Sequence, residues 1–372
     1  LFPYTTLFRS VLTSLVHGGV ETIAAGQGPR LNLYRAPVDN DKWFDRTLAA
    51  AGLDAPTHTL RSISLVRVVD SVVRVEVATD VLGVECGFAH IASYTVFGDG
   101  SIHVDNLATP IGAPPNPARI GVLFAMPRAF DRFAWLGRGP WENYVDRKTA
   151  ADVGLYSGSV ADQYEIYARP QDNGNKCDVR WMSLVRPDGA GLLASFDAPF
   201  AVSVPINPAA DFHTALHFLE LKPRDAVYVT LDAAHMGLGG ASCGPRPMAQ
   251  YTLTASPTRF RYSLRPASVD AKVELPNLGA PLVTRDKSGM VRIESDAKGK
   301  IEYRVGAGAW TAYAGPFEQI EAATVEARID LGDKLTSDTA RVTFEKIVPM
   351  QVLDKSAWKV VHVDSFEPGE GE

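Results

Sequence analysis

The chain has 372 residues, 46% hydrophobic and 22% charged, which gives room for two or three domains with a sizeable core. A net charge of −6 and a pI near 5.8 exclude nucleic acid as the expected partner, because phosphate binding needs a clustered basic face and none stands in the sequence. No apolar run is long enough to span a bilayer as a helix. Cys86, Cys177 and Cys243 are odd in number, far apart and without a C-x-x-C, so they are read as buried or free thiols and give no metal site.

The first ten residues, Leu1 to Ser10, resemble the in-frame translation of a sequencing-library adapter and are set aside as a scar. Arg46 to Ala51 is the best helical candidate. Thereafter the dominant period is two. Val73, Val75 and Val77 alternate with Arg74 and Glu76, and Ile102 and Val104 with His103 and Asp105. Val227, Val229 and Leu231 alternate with Tyr228, Thr230 and Asp232, and Phe260, Tyr262 and Leu264 with Arg261 and Ser263. Each reads as a strand with one buried and one wet face. Gly/Asp/Pro-rich turns separate them, as at Phe97-Gly98-Asp99-Gly100 and Arg186-Pro187-Asp188-Gly189. The fold class is all-β, and a barrel of alternating strands and helices cannot be fitted to it.

A break follows Arg265-Pro266. Beyond it Val291–Glu294, Ile301–Val305 and Thr324–Ile329 predict a smaller sandwich. A second break near Val348-Pro349 precedes a strand at Trp358–Ser365, and the last residues read as a truncation. The expected segments are 1–10, 11–266, 267–348 and 349–372.

Four strings are more specific than composition. They are Leu33-Tyr34-Arg35-Ala36-Pro37-Val38-Asp39-Asn40-Asp41, the run from Trp135 to Arg147 containing Gly139-Pro140-Trp141-Glu142-Asn143-Tyr144-Val145-Asp146, Arg169 to Asn175 followed by Asp178–Trp181, and His235-Met236-Gly237-Leu238-Gly239-Gly240. Their order and spacing resemble the C-terminal β-sandwich, or small-chain, domain of glycoside hydrolase family 2 β-galactosidases, over about residues 11–266. The resemblance implies a large antiparallel supersandwich of galactose-mutarotase type. Residues 267–348 resemble an immunoglobulin-like module, and 349–372 the cut-off start of a discoidin-like carbohydrate-binding domain.

The same resemblance implies a parent enzyme that hydrolyses terminal β-D-galactosides on a catalytic barrel absent from this chain. Retaining hydrolysis needs two carboxylates about 5–5.5 Å apart, and the family's two glutamates belong to that barrel. No catalytic residue and no metal site are therefore expected here, and a divalent cation such as magnesium belongs to the barrel. The implied partners are a β-galactoside reached through the parent's active site, the barrel itself, and a second copy if the parent is a homo-oligomer; neither nucleic acid nor membrane is expected. Appended modules favour a periplasmic or extracellular parent. A stand-alone carbohydrate-binding module and a mutarotase-like epimerase are the alternatives.

Arg35, Asp39, Asn40, Asp41, Arg138, Glu142, Asn143, Tyr144, Asp146, Arg147 and Asn173 are the expected bracing, barrel-facing residues. Asp39 and Asp41 stand near Arg35, and Glu142 and Asp146 near Arg147. A carboxylate beside a fixed cation has its pKa held down, which suits an ion pair and not a general acid. His235, Gly240, Ser242 and Cys243 mark the loop expected nearest substrate. The family's best-known members carry a tryptophan near Cys243, and a small thiol cannot replace that stacking face. Cys243 is expected to be half-buried in a tight loop. Gly240-Ala241-Ser242-Cys243-Gly244 also fits G-x-S-x-G, but Pro245 and Pro247 oppose the helix a nucleophile elbow requires. An Asp232–His235 acid–base pair is disfavoured, since the two need not converge. Trp310 and Tyr313 are read as packing before glycan contacts.

Overall fold

The structure, a computed structural model, describes residues 11–69, 72–267, 280–295, 299–332, 335–337 and 339–347. The expected scar at 1–10 and the stub at 349–372 lie outside the described residues. Two compact units are present, Leu1–Leu275 and Pro276–Glu372.

The first unit is built on one twelve-stranded antiparallel sheet. Its strands are β1 (Arg30–Asn32), β2 (Thr57–Val69), β3 (Val72–Leu82), β4 (Gly87–Phe97), β5 (Ile102–Ile111), β6 (Arg119–Pro127), β7 (Arg132–Gly139), β8 (Asp152–Ser159), β9 (Lys176–Val185), β10 (Gly191–Ser203), β11 (Ala226–His235) and β12 (Thr258–Ala267). The long β10 feeds two arms. Its residues Gly191–Phe196 pair with β12, while Ala201–Ser203 pair with β11. One arm runs β8-β7-β9-β10-β12-β5-β4-β3-β2, and the other runs β10-β11-β6-β1.

The predicted alternation places Val227, Val229 and Leu231 in one core with Val122, Phe124, Val75, Val77, Val104, Tyr262 and Leu264. Each such side chain contributes about 1.5–3 kcal/mol over its exposed state. Phe133 and Trp135 stack in the same core with ring centres 4.7 Å apart. The opposite face of β11 is not wet, as alternation alone suggested. Thr230 and Asp232 are buried there, and the short helix Ala209–Thr214 lines the space over Thr230.

The predicted helix is present as α1 (Asp45–Ala50), after a 3-10 turn at Asp39–Trp43. Its end follows from local chemistry. Gly52 takes φ +67°, and Leu53 N–H reaches back to Leu48 C=O at 2.9 Å, closing a Schellman turn that residues with a Cβ resist. Leu48 and Leu53 then bury together.

The second unit pairs β13 (Leu282–Arg285), β14 (Met290–Glu294) and β17 (Phe317–Glu318) in one sheet. The other holds β15 (Lys300–Val305), β16 (Thr311–Ala312), β18 (Ala323–Gly332), β19 (Leu335–Thr336) and β20 (Ala340–Phe344). Val283, Val291, Ile293, Val325 and Ala327 form its core. Tyr313 packs on that core, and its hydroxyl accepts the Ile293 N–H at 3.1 Å. Trp310 lies under Arg304 and Arg328, with cation-to-ring distances of 4.8 and 4.2 Å.

Candidate functional site

The motifs converge on the segment that follows β11. Arg35 and Asp41 form a fully buried ion pair, with side chains 0% and 1% exposed. Arg35 Nε donates to Asp41 at 3.0 Å and Nη2 at 2.8 Å, while Asp41 also accepts the Val38 N–H at 3.1 Å. The remaining guanidinium capacity goes to the loop: Nη1 donates to Met236 C=O at 2.6 Å and Nη2 to Gly237 C=O at 3.4 Å. Asn40 completes this side, donating to Gly239 C=O at 2.9 Å and accepting Ser242 N–H at 3.0 Å.

The other side comes from the second motif. Asp146 accepts Leu238 N–H at 3.0 Å and Gly239 N–H at 2.7 Å, and Arg147 donates to Gly239 C=O. Gly239 sits at φ +60°, and a Cβ there would lie 2.6 Å from Pro247 N. Only glycine meets both demands. Gly244 N–H closes the turn on Gly240 C=O at 2.6 Å. Beyond this fixed base, Ser242, Cys243, Arg246 and Met248 are exposed. Cys243 is thus exposed, not half-buried, because the close glycine turn projects its side chain outward. Among the described residues no α-helix follows Ser242, and the next helical turn is a 3-10 turn at Ala249–Tyr251, so the nucleophile-elbow geometry is absent at this loop.

Two expected ion pairs are corrected. Asp39 is exposed at the first position of the 3-10 turn, and it is Asp41 that pairs with Arg35. Glu142 turns away from Arg147 and accepts the Tyr167 hydroxyl and the Gly174 N–H, the latter at 2.9 Å. Burial raises the Glu142 pKa, against the pull of those two donors. The anticipated lowering required an adjacent cation, and Arg147 is spent with Asp146 on the Gly239 peptide.

The remaining motif residues tie loops together. Asn143 accepts the Cys177 N–H at 2.8 Å, and its own N–H meets Asn175 C=O at 2.8 Å. Asn173 donates to Gln171 C=O at 2.9 Å. Arg138 pairs with Asp178, which also accepts Lys148 at 2.9 Å. Burial alone would raise the Asp178 pKa, but these two cations hold it below the usual carboxylate range.

One cluster was not anticipated as a unit. Arg119, at the start of β6, contacts Asp172 at 2.7 Å and Asp232 at 3.2 Å. Tyr144 donates to Asp172 at 3.2 Å and stacks on His235 with ring centres 5.7 Å apart. Desolvation pushes Asp232 up to about 7 despite Arg119, with Asp172 adding to the rise. Desolvation drives His235 the other way, well below its ordinary value, helped by Arg119 and Arg35. Asp232 contacts Arg119 and the His235 ring stacks on Tyr144, and no hydrogen bond joins Asp232 to His235.

A family model described as β-galactosidase small chain matches residues 7–265. The chain belongs to that family. Among curated relatives of this small-chain domain, a β-galactosidase of Priestia megaterium is 34% identical over 241 residues, covering 63% of this chain and 23% of that protein. One from Kluyveromyces lactis is 28% identical, covering 68% of this chain and 25% of its own length. The chain thus spans about a quarter of the curated relatives it matches. Similar solved structures include a galactose mutarotase related enzyme of Lactobacillus acidophilus, with TM-score 0.34, 9% identity and coverage of 70% and 91% of the two chains. A putative aldose 1-epimerase of Escherichia coli gives TM-score 0.30 at 12% identity, covering 56% and 69%.

Within the small-chain domain, the one available sequence signal for the Arg119 cluster was a charged residue opening the apolar run Ile120–Met126. Its partners come from distant segments, so spacing could not reveal them.

Proposed function

We propose that this chain is the supporting C-terminal part of a family 2 β-galactosidase acting on terminal β-D-galactosides. In this reading the Gly237–Gly244 loop borders the sugar site. One observation carries it: the loop's base is clamped by Arg35, Asn40, Asp146 and Arg147, while its tip stands exposed. A rigid base under a free tip suits a surface that completes a site built by residues elsewhere in a longer protein. Trp141, from the same clamping motif, is 68% exposed. A large aromatic left in water supports a packing surface for a barrel.

The two glutamates, and any divalent cation such as magnesium, then belong to that barrel. The chemistry is double displacement at the anomeric carbon, and this domain contributes shape and position. With Cys243 at the tip in place of an aromatic ring, sugar stacking from the loop is lost and acceptor preference shifts.

The purified chain should not turn over an aryl β-galactoside above a mock preparation, and turnover would overturn the proposal. Grafted in place of the matching 241 residues of the Priestia megaterium enzyme, it should restore hydrolysis to that enzyme's truncated form. A folded but inactive graft would count against the supporting role.

A further inference from the structure

We propose that the covered polar face of β11, β6 and β10 is a saccharide-binding cleft carried wholly by this chain. It requires no barrel and is separate from the Gly237–Gly244 tip. The face borders an open-sided cavity of about 520 Å³. Its floor carries Arg119, Asp172, Ser203 and Thr230, and Tyr228 and Phe212 are among its walls.

Strand geometry explains why these groups meet. Tyr228, Thr230 and Asp232 alternate onto one face of β11. Thr230 stands opposite Ser203 of β10, and Asp232 opposite Gly121 of β6, two residues after Arg119. A Cβ at Gly121 would lie 2.7 Å from the Asp232 carboxylate, so glycine leaves that group its place. The reverse face of β11 is Val227, Val229 and Leu231. A covered face needed only for packing would be equally apolar, since burying polar groups costs free energy unless they are satisfied. Here they are not all satisfied: Arg119 is 2% exposed, lines the cavity, and its Nε–H has no hydrogen-bond partner among the described residues, nor have the Asp232 oxygens beyond their ion pair with Arg119. The Ser203 and Thr230 hydroxyls stand 2.7 Å apart, and Thr230 also accepts the Ser203 N–H at 3.2 Å, so the pair is held in place on the cavity lining.

The charge pattern selects the ligand class. Arg35 is neutralised by Asp41, and Arg119 by Asp172 and Asp232. The two buried guanidiniums of the cleft therefore leave no surplus cation for a phosphate or carboxylate; Arg30, which also lines the cavity, is exposed. The cleft offers donors beside acceptors, which suits vicinal hydroxyls. Tyr228, half-buried on the cavity wall, supplies aromatic surface for the apolar side of a pyranose, while Phe212 is buried against Tyr164. The volume lies in the range of small-molecule cavities. A neutral pyranoside of one or two rings meets all three conditions.

Isothermal titration of the purified chain with methyl β-D-galactopyranoside, methyl β-D-glucopyranoside and inorganic phosphate tests this. At least one pyranoside should bind saturably in the millimolar range, and phosphate should give no heat. Thr230→Val, nearly isosteric, and Tyr228→Ala, at the half-exposed wall, should each weaken binding about tenfold, the loss of one good contact. Leu155→Ser, on the exposed face of β8, should leave it unchanged. Thermal melting of each variant confirms folding, and either cleft variant suffices if the other unfolds. Absence of saturable pyranoside binding, preference for phosphate, or unchanged affinity in a folded cleft variant would each overturn the proposal. None of these outcomes depends on whether the chain supports hydrolysis elsewhere.

Discussion

Replacing Asp41 by Asn tests whether the Arg35 ion pair holds the loop. Asp41 accepts three hydrogen bonds, two from Arg35 and one from Val38. Asn keeps one acceptor oxygen but turns an NH₂ group toward the guanidinium, and Arg35 is left charged and fully buried. Removing one partner of a buried pair costs about 3–5 kcal/mol. Domain stabilities run to about 5–15 kcal/mol, so the first unit loses a large share of its total. With an m-value of about 3 kcal/mol per molar urea, the midpoint falls by about 1–1.7 M. Near-ultraviolet circular dichroism of the buried Phe133–Trp135 stack follows that unit. Because Arg35 also holds the Met236 and Gly237 carbonyls, the Leu238 and Gly239 amides should exchange faster in the variant even where it remains folded. A midpoint shift below about 0.3 M, or unchanged exchange at those amides, would refute the reasoning. Arg35→Met with Asp41→Leu should be less destabilised than Asp41→Asn alone, since no charge is stranded.

Three further outcomes follow from the same geometry. Asp232 titrates near 7 in the folded chain against about 3.9 unfolded, so the folded state binds the extra proton and stability falls as pH rises between those values. Asp232→Asn should therefore gain on the parent chain progressively from about pH 4 to pH 7 and hold a constant difference above; urea midpoints at the two ends that differ from the parent's by the same amount would contradict the shift. Gly239→Ala should cost about 1–3 kcal/mol, since it places a Cβ at φ +60° and against Pro247 N, and a neutral result in thermal melting would show that the turn relaxes. Cys243 should react with a thiol reagent in the folded chain, whereas Cys177, buried and pushed up to about 12 by desolvation, should wait for unfolding; Cys243→Ser must remove a rapid phase, or the exposed tip is wrong.

The strands were legible because period two survives wherever one face meets the core, as at Val227, Val229 and Leu231. Alternation cannot say what lies beyond the other face. Thr230 and Asp232 read as wet and are buried, and the helix Ala209–Thr214 over Thr230 comes from elsewhere in the chain. The Arg35–Asp41 pair was legible because six residues separate its partners across one short turn. Glu142 and Arg147 are closer in sequence, yet they diverge, because Glu142 finds Tyr167 and Gly174, 25 and 32 residues on. Proximity in sequence predicts an ion pair only where no loop offers a better-placed donor. The Arg119 cluster lay beyond reach for the same reason, as Asp172 is 53 residues from it.

Both candidate sites lean on one side chain. Arg35 lines the cleft and carries the carbonyls at the base of the loop. A loop of glycines buries backbone carbonyls that no strand partner can satisfy, so donors must come from a side chain. Lysine offers a single charged point, whereas the guanidinium fork meets a carboxylate with one edge and two carbonyls with what remains. Asp41 is needed in turn, because a guanidinium buried without a counter-charge would cost more than those carbonyl bonds return. The carboxylate that makes the loop affordable also removes the cation from the cleft. The same pair that fixes the loop therefore favours a neutral hydroxylated ligand over an anion at the buried end of the cleft.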